Sequence, residues 1–369
     1  MPSRPQAAST TADTRGKPAL PSRSESRSKT TPFHTAQWGR AWEHVTTEQV
    51  TDFHLRQWPL PEQTHHLPFY RVEHSPLWTT LEGDAQTSAP VWQGPVTYAR
   101  TLYGTYGGLP GAPLAVLADA VDRGRHLAGQ WGTAALVVSN LPDSDAQLWS
   151  SIRPPDARVG LYWSHRVELA SSVEEFVTAD LARKKSRRDL RRLWRRGTES
   201  GLSQRLLHGR EMLPLLPTIT QHARETSERH GPALYGHDML APLVDVPGAF
   251  ALVADHEDGP AGAFLCFRSE DTVYLWTAAI DQVRKRALNT YGWLTYSAIA
   301  HACASGARWL DAGRGNYAYK AQLGLTHHRL SALVYLTRPD RALCERLAAM
   351  DQGLERHAHR AWARTHRAV

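Results

Sequence analysis

The chain has 369 residues, of which 41% are hydrophobic and 21% charged, and a net charge of +7. These proportions exclude a wholly disordered chain, and the length suits two domains better than one. No run approaches the ~18 consecutive apolar residues of a membrane span, and the first residues lack the apolar core of a secretion signal. Cys266, Cys303 and Cys344 show no disulfide-framework or zinc spacing. A cytoplasmic location, three buried thiols and no metal are the expectations.

The charge is unevenly placed. Residues 1–30 hold six Lys/Arg against Asp13 and Glu25, and residues 183–196 hold nine against Asp189, which leaves a net −5 elsewhere. Concentrated positive charge attracts polyanions such as nucleic acid, nucleotide phosphates or anionic lipid. The first segment has almost no large apolar side chains and reads as a disordered basic tail over residues 1–32.

A globular composition begins near residue 33. Thr46-x-x-Gln49 has the spacing of a helix-start signal and predicts a helix over 47–57. The stretch 90–111 mixes short β-type runs with Gly104, Gly107, Gly108 and Gly111, a tight loop. A helix follows over 113–130, then strands over 133–140 and 157–169. Residues 173–202 form the longest helical pattern, with Leu190, Leu193 and Trp194 as a narrow apolar stripe. A further helix over 211–230 is restricted by Pro214 and Pro217. Three antiparallel strands at 248–256, 261–268 and 272–279 lead to a helix at 290–305. A strand at 308–313, a loop with a short helix, a strand at 330–338 and an exposed C-terminal helix complete the order. The mixture is that of layered α/β architecture. The expected division is a first domain over 33–172, a second over 173–338 and a C-terminal helix over 339–369.

The element order of the second half resembles the GNAT superfamily of N-acyltransferases. In that fold a meander of antiparallel strands leads into a helix whose N-terminus receives the pyrophosphate of acyl-coenzyme A. Free N–H groups and the positive end of the helix dipole explain such a site. The usual loop there is Arg/Gln-x-x-Gly-x-Gly/Ala. Here Arg284 matches its first position, while Ala287 and Asn289 replace both glycines. That pattern makes a poor coenzyme A cradle.

Three further segments resemble the tandem-GNAT group containing the Fem-type peptidoglycan aminoacyltransferases and FemAB-like proteins. They are Tyr103-Gly104-x-Tyr106-Gly107-Gly108, the basic stretch from Arg183 to Leu202, and Asp311-x-Gly313-x-Gly315-Asn316-x-x-Tyr319-Lys320-x-x-x-Gly324. The resemblance implies two tandem GNAT-like α/β domains with mixed, largely antiparallel sheets flanked by helices, the first degenerate and the second bearing the catalytic loop. It also implies acyl transfer to an amine without a covalent enzyme intermediate. Lys320, following the aromatic Tyr319, would stabilise the oxyanion that forms as the donor carbonyl is attacked. Asp311 would orient Lys320 or act as general base, or cap the loop backbone.

Tyr103, Tyr106, Gly107, Gly108, Trp276, Thr277, Arg314, Asn316, Tyr317 and Tyr319 are the expected substrate-binding residues, lining a cleft between the two domains. Lys184, Lys185, Arg187, Arg188, Arg191, Arg192 and Arg195 are expected to meet an RNA backbone, because nine cations against one anion repel one another without a polyanionic partner. The expected donor is aminoacyl-tRNA as co-substrate, with no bound cofactor, and the acceptor is a small amine-bearing metabolite or cell-wall precursor. The alternatives are an acyl-CoA-dependent N-acyltransferase of the same fold and a non-catalytic RNA-binding protein on a GNAT scaffold.

Overall fold

The computed structural model describes residues 31–178, 184–229 and 231–366. Most of the segment read as a basic tail, residues 1–30, lies outside them.

The first half begins with a 3-10 turn at Pro32–His34 and α1 (Ala36–Arg40), whose aromatic residues are already core. Strands β1 (Val50–Pro59) and β2 (Thr64–Val72) form an antiparallel hairpin in register from Val50↔Val72 to Pro59↔Thr64. The helix expected over 47–57 is therefore a strand. Its start signal serves a turn instead. Gln49 takes a left-handed φ of 47° with its N–H on the Thr46 carbonyl, and the Thr46 N–H and hydroxyl both donate to Asp238. Pairing with β2 outweighs the local cap preference, as tertiary contacts commonly do. There follow α2 (Pro76–Ala85), β3 (Val96–Ala99), α3 (Leu114–Gln130), β4 (Ala135–Pro142), α4 (Asp143–Ile152), β5 (Ala157–Gly160) and β6 (Ser164–Glu168).

The long helical pattern contains α5 (Val173–Thr178) and α6 (Lys184–Glu199). The second half continues with β7 (Ser203–His208), a 3-10 turn over Gly209–Leu215, α7 (Leu216–Glu228) and α8 (His237–Leu240). The meander of β8 (Ala249–Asp255), β9 (Gly262–Ser269) and β10 (Thr272–Ile280) is antiparallel throughout, as its apolar runs and turn residues predict. Then come α9 (Thr290–Ala304), β11 (Trp309–Arg314), α10 (Tyr317–Gln322), β12 (Thr326–His328), β13 (Leu330–Leu336) and α11 (Arg341–His366).

Two mixed sheets flanked by helices result, ordered β1-β2-β3-β4-β13-β5 and β12-β6-β11-β10-β9-β8-β7. The halves exchange strands: β6 enters the second sheet between β11 and β12, and β13 enters the first between β4 and β5. Each half also holds one parallel pair joined by a crossover helix, β3–α3–β4 and β10–α9–β11. Cys266 and Cys303 are buried, whereas Cys344 is partly exposed on α11. Among the described residues, no helix is long and apolar enough to cross a membrane.

Candidate active site

In the second half, β10 and β11 pair only from Thr272↔Trp309 to Tyr274↔Asp311. Beyond that point β10 bulges at Trp276, between residues paired to β9, and β11 is irregular between Asp311 and Arg314 where it meets β6. Bulges re-aim side chains. Here they turn both strand ends toward the first half.

The Tyr103–Gly108 loop meets them. The Trp276 indole N–H donates to the Tyr103 carbonyl at 2.8 Å. The Tyr106 hydroxyl donates to Asp311 Oδ2 at 2.5 Å and lies 3.1 Å from the Ser164 hydroxyl. The loop is held from below by Asn140, buried with φ 56°, whose amide donates to the Leu102 and Gly104 carbonyls at 3.1 and 2.8 Å. At Gly107 a Cβ would stand 1.8 Å from the Ser139 carbonyl, so only glycine lets the loop lie this close to β4. Gly108 has φ 76° and packs on Leu141 and Trp149.

Lys320, on α10, is 5% exposed. Its ammonium donates to the Gly313 carbonyl at 3.1 Å and the Arg314 carbonyl at 2.8 Å. Lysine has three donors, so one N–H is left for a further acceptor. Burial pushes Lys320 down to about 7, with Asp311 opposing the shift and Arg314 adding to it. Burial raises the Asp311 carboxyl, while the Tyr106 hydroxyl, the Gly313 N–H and Lys320 pull it back. Asp311 Oδ1 accepts from the Gly313 N–H at 2.8 Å, so Asp311 caps the loop and also sits in the field of Lys320. Arg314 donates to Asn140 Oδ1 at 2.9 Å across the seam and stands within electrostatic reach of Tyr103, Tyr162, Tyr235 and Tyr317.

The remaining expected substrate residues divide. The Tyr317 hydroxyl accepts from the Trp163 N–H at 3.2 Å, and Thr277 lies beside the Tyr235 hydroxyl. The Tyr319 ring leans on Tyr291 at 5.5 Å, against the core under α9. Asn316 is exposed, with its amide 3.3 Å from the Tyr291 hydroxyl. Sequence reasoning missed Asn140, Ser164 and His165. His165 is fully buried on β6, beside the Tyr317 ring at 5.3 Å, and burial and Lys320 lower it to about 3. Its only signal in the sequence is an inward position on an alternating strand.

The loop before α9 is occupied by its own side chains. Asp281 accepts from the Val283 and Arg284 N–H groups at 2.8 and 3.1 Å. The Arg284 guanidinium pairs with Asp281 at 2.5 Å and donates to the Pro260 carbonyl at 2.9 Å. A carboxylate thus takes loop N–H groups of the kind that would otherwise face a pyrophosphate. At Gly292, in the first turn of α9, a Cβ would lie 2.7 Å from the Leu193 side chain, so α6 is seated directly on this turn.

On α6 the cations are not equivalent. Lys185, Arg188, Arg191, Arg192 and Arg195 are exposed, whereas the Lys184 side chain lies outside the described residues. Arg187 turns inward and is 6% exposed, donating to the Phe176 carbonyl at 2.7 Å and the Leu323 carbonyl at 3.2 Å, with its guanidinium 4.1 Å from the Phe176 ring centre. Arg191 pairs with Glu174 at 2.9 Å and Arg192 with Asp189 at 3.2 Å. Glu174, outside the cationic run, therefore relieves part of the repulsion. Trp194 stacks on Tyr296 at 4.8 Å.

Among the described residues, one trio of possible metal ligands comes together, His256, Glu257 and Asp258, in the turn after β8. It lies in sequence and sheet position apart from Lys320.

Residues 184–321 match the family model described as an acetyltransferase (GNAT) domain. The structure is similar to that of FemX, with a TM-score of 0.54 and 10% identity over 83% of this chain and 93% of that one. It is also similar to L-PGS from Bacillus licheniformis, with a TM-score of 0.52 and 12% identity over 81% and 89% of the two chains. A conserved protein of unknown function from Bacteroides thetaiotaomicron gives 0.51 and 8% identity over 81% and 89%. No curated protein sequence matches significantly. Residues 184–321 thus form a GNAT-type acyltransferase domain. With its two halves sharing strands, the chain has the tandem GNAT, Fem-type fold.

Proposed function

We propose that the enzyme moves an aminoacyl group from aminoacyl-tRNA onto the amine of a small metabolite or cell-wall precursor, forming an amide. The observation that carries this reading is the Lys320 ammonium, buried at the seam with two donors committed to loop carbonyls and one free. The acceptor nitrogen attacks the ester carbonyl carbon, and the carbonyl oxygen gains negative charge. The remaining Lys320 N–H stabilises that charge in a site already shielded from water. The C–N bond then forms fully as the C–O bond breaks. The ribose hydroxyl leaves with a proton, and the acceptor nitrogen gives one up. Asp311 and Tyr106 hold the loop in register and keep Lys320 partly charged against its burial.

Two observations favour tRNA over coenzyme A as the donor. The loop before α9 lacks both glycines, and Asp281 already takes its N–H groups. The exposed cations of α6, a helix packed on α9, suit a phosphate backbone. The resemblance to the Fem-type aminoacyltransferases points the same way. An acyl-CoA-dependent N-acyltransferase is the second reading, favoured by the description of the matching domain as an acetyltransferase.

The test is product formation from a mixture of charged, labelled tRNAs and an amine acceptor panel, followed by mass spectrometry. RNase treatment is expected to abolish the amide product, while acetyl-CoA gives none. Turnover of acetyl-CoA by RNase-treated enzyme would overturn the tRNA assignment.

A further inference from the structure

A groove of about 410 Å³ opens in the first half, away from every residue of the loop bearing Lys320. It is formed by the end of β2, the start of α2, the segment before β3, and β3 itself, and its walls include Trp78, Trp92 and Tyr98. Trp78 and Trp92 stand 5.3 Å apart at 42°, and Tyr98 lies 6.3 Å from Trp78. Glu73, Glu82 and His74 also line it, and none of its lining residues is Lys or Arg.

The polar groups here are incompletely used. Tyr98 is 2% exposed, and its hydroxyl and the Trp92 indole N–H lie against each other, both closed off from solvent. The Tyr98 hydroxyl lies in the field of both Glu48 and Glu82. Glu82 accepts from the Trp78 indole N–H at 3.1 Å and the Val91 N–H at 2.7 Å, both at Oε1, which leaves Oε2 unbonded. Glu73 is instead paired with Arg71.

We propose that this groove binds a small organic ammonium compound with a compact apolar body. Aromatic faces attract cations through their quadrupoles, and Glu82 Oε2 supplies the counter-charge. The absence of lysine and arginine from the lining removes competing cations. An anionic ligand meets a carboxylate and three π-faces here and is disfavoured. The proposal does not depend on which acyl donor serves Lys320.

The test uses the full chain, with cyclohexylmethylammonium and the neutral cyclohexylmethanol as probes in calorimetry and in ¹⁵N-indole NMR. The ammonium is expected to bind about tenfold tighter than the alcohol and to shift the Trp92 indole resonance. Glu82→Gln keeps an oxygen for Trp78 and Val91 but removes the charge, and is expected to erase the preference. The same Trp92 shift in the Lys320→Met protein places the ligand here and not at the seam. Equal affinity for both probes, an unshifted Trp92, or an ammonium preference that survives Glu82→Gln would overturn the proposal.

Discussion

The parallel pairs β3–β4 and β10–β11 occupy the same topological place in the two halves, and they end very differently. Past β3 the chain folds back as the Tyr103–Gly108 loop and fills its own strand opening, with Gly107 pressed on Ser139 and its N–H on the Asn140 carbonyl at 2.9 Å. The polar groups there are the neutral Ser139 and Asn140 and the buried guanidinium of Arg100, which donates to the Gly108 and Phe33 carbonyls at 2.8 and 2.9 Å; all spend their bonds holding that loop and the backbone beside it. In the second half, β11 and α10 carry Asp311, Arg314 and Lys320, three ionisable groups taken into low dielectric and shifted by it. One half has become a packed support. The other retains a buried ammonium with one N–H unspent, which is costly unless it is used. Arg314 on Asn140 joins the two, so the support positions the charged loop.

The sharpest way to break this contrast is Lys320→Met. Turnover is expected to fall by about 10²–10³, the range for losing one oxyanion donor, while donor affinity stays within about threefold. Wild-type kcat should also decline as the pH rises through about 7, where Lys320 loses its proton, and that alkaline limb should be missing from the residual activity of the variant. A pH–rate profile of both proteins checks it. The matching experiment on the support side is Gly107→Ala. Its Cβ meets a backbone carbonyl, which cannot rotate aside, so about 3 kcal/mol of stability is expected to be lost. Denaturant midpoints with an unchanged m-value would show this. If Gly107→Ala were harmless and Lys320→Met fully active, the division of labour between the halves would fail.

How far the chain spells this out depends on whether the partners of a residue are local. The β8–β9–β10 meander and α9 are legible because alternation, turn residues and the glycine after the helix all lie within the segment itself. The β1–β2 hairpin is not, since Thr46-x-x-Gln49 speaks for a helix and only pairing with residues 64–72 overrides it. Residues 157–169 read as one strand, yet β5 and β6 part into different sheets because β13 and β11 claim them separately. In the site, Lys320 and Asp311 stand out within one short motif. Asn140 does not, because its role is to bond a loop far behind it in sequence and an arginine far ahead. Tyr319 sits in the motif but packs under α9, a choice of face that a motif cannot state.

A smaller effect distinguishes the first half's own buried acid. Glu48 is 4% exposed, accepts from the Ser75 hydroxyl at 3.0 Å, and burial raises its pKa to about 7. Between the ordinary value of 4.5 and about 7 the folded chain keeps this proton and the unfolded chain releases it. Stability therefore falls as the pH rises across that window. Glu48→Gln keeps the bond to Ser75 without the charge. It is expected to gain roughly 2–3 kcal/mol over wild type at pH 8 and nothing at pH 4. Thermal melts at the two pH values measure the difference, and an equal effect at both would show that Glu48 is not held protonated.

The finest version of the contrast lies between two neighbours on α6. Arg187 and Arg188 have the same charge and adjacent positions, but one donates to the Phe176 and Leu323 carbonyls inside the protein and the other is exposed. Adjacent helical residues point about 100° apart, so only the packing of α5 and α10 decides which is which. Arg187→Gln leaves two buried carbonyls without their donor and should lower the melting temperature, while the salt dependence of donor binding stays as in wild type. Arg188→Gln should leave the melting temperature alone. It should reduce the slope of log affinity against log salt by about 0.7–0.9, the contribution of one phosphate contact, with kcat unchanged. A slope that responds to Arg187 and ignores Arg188 would mean that the nucleic acid does not meet this face of the helix.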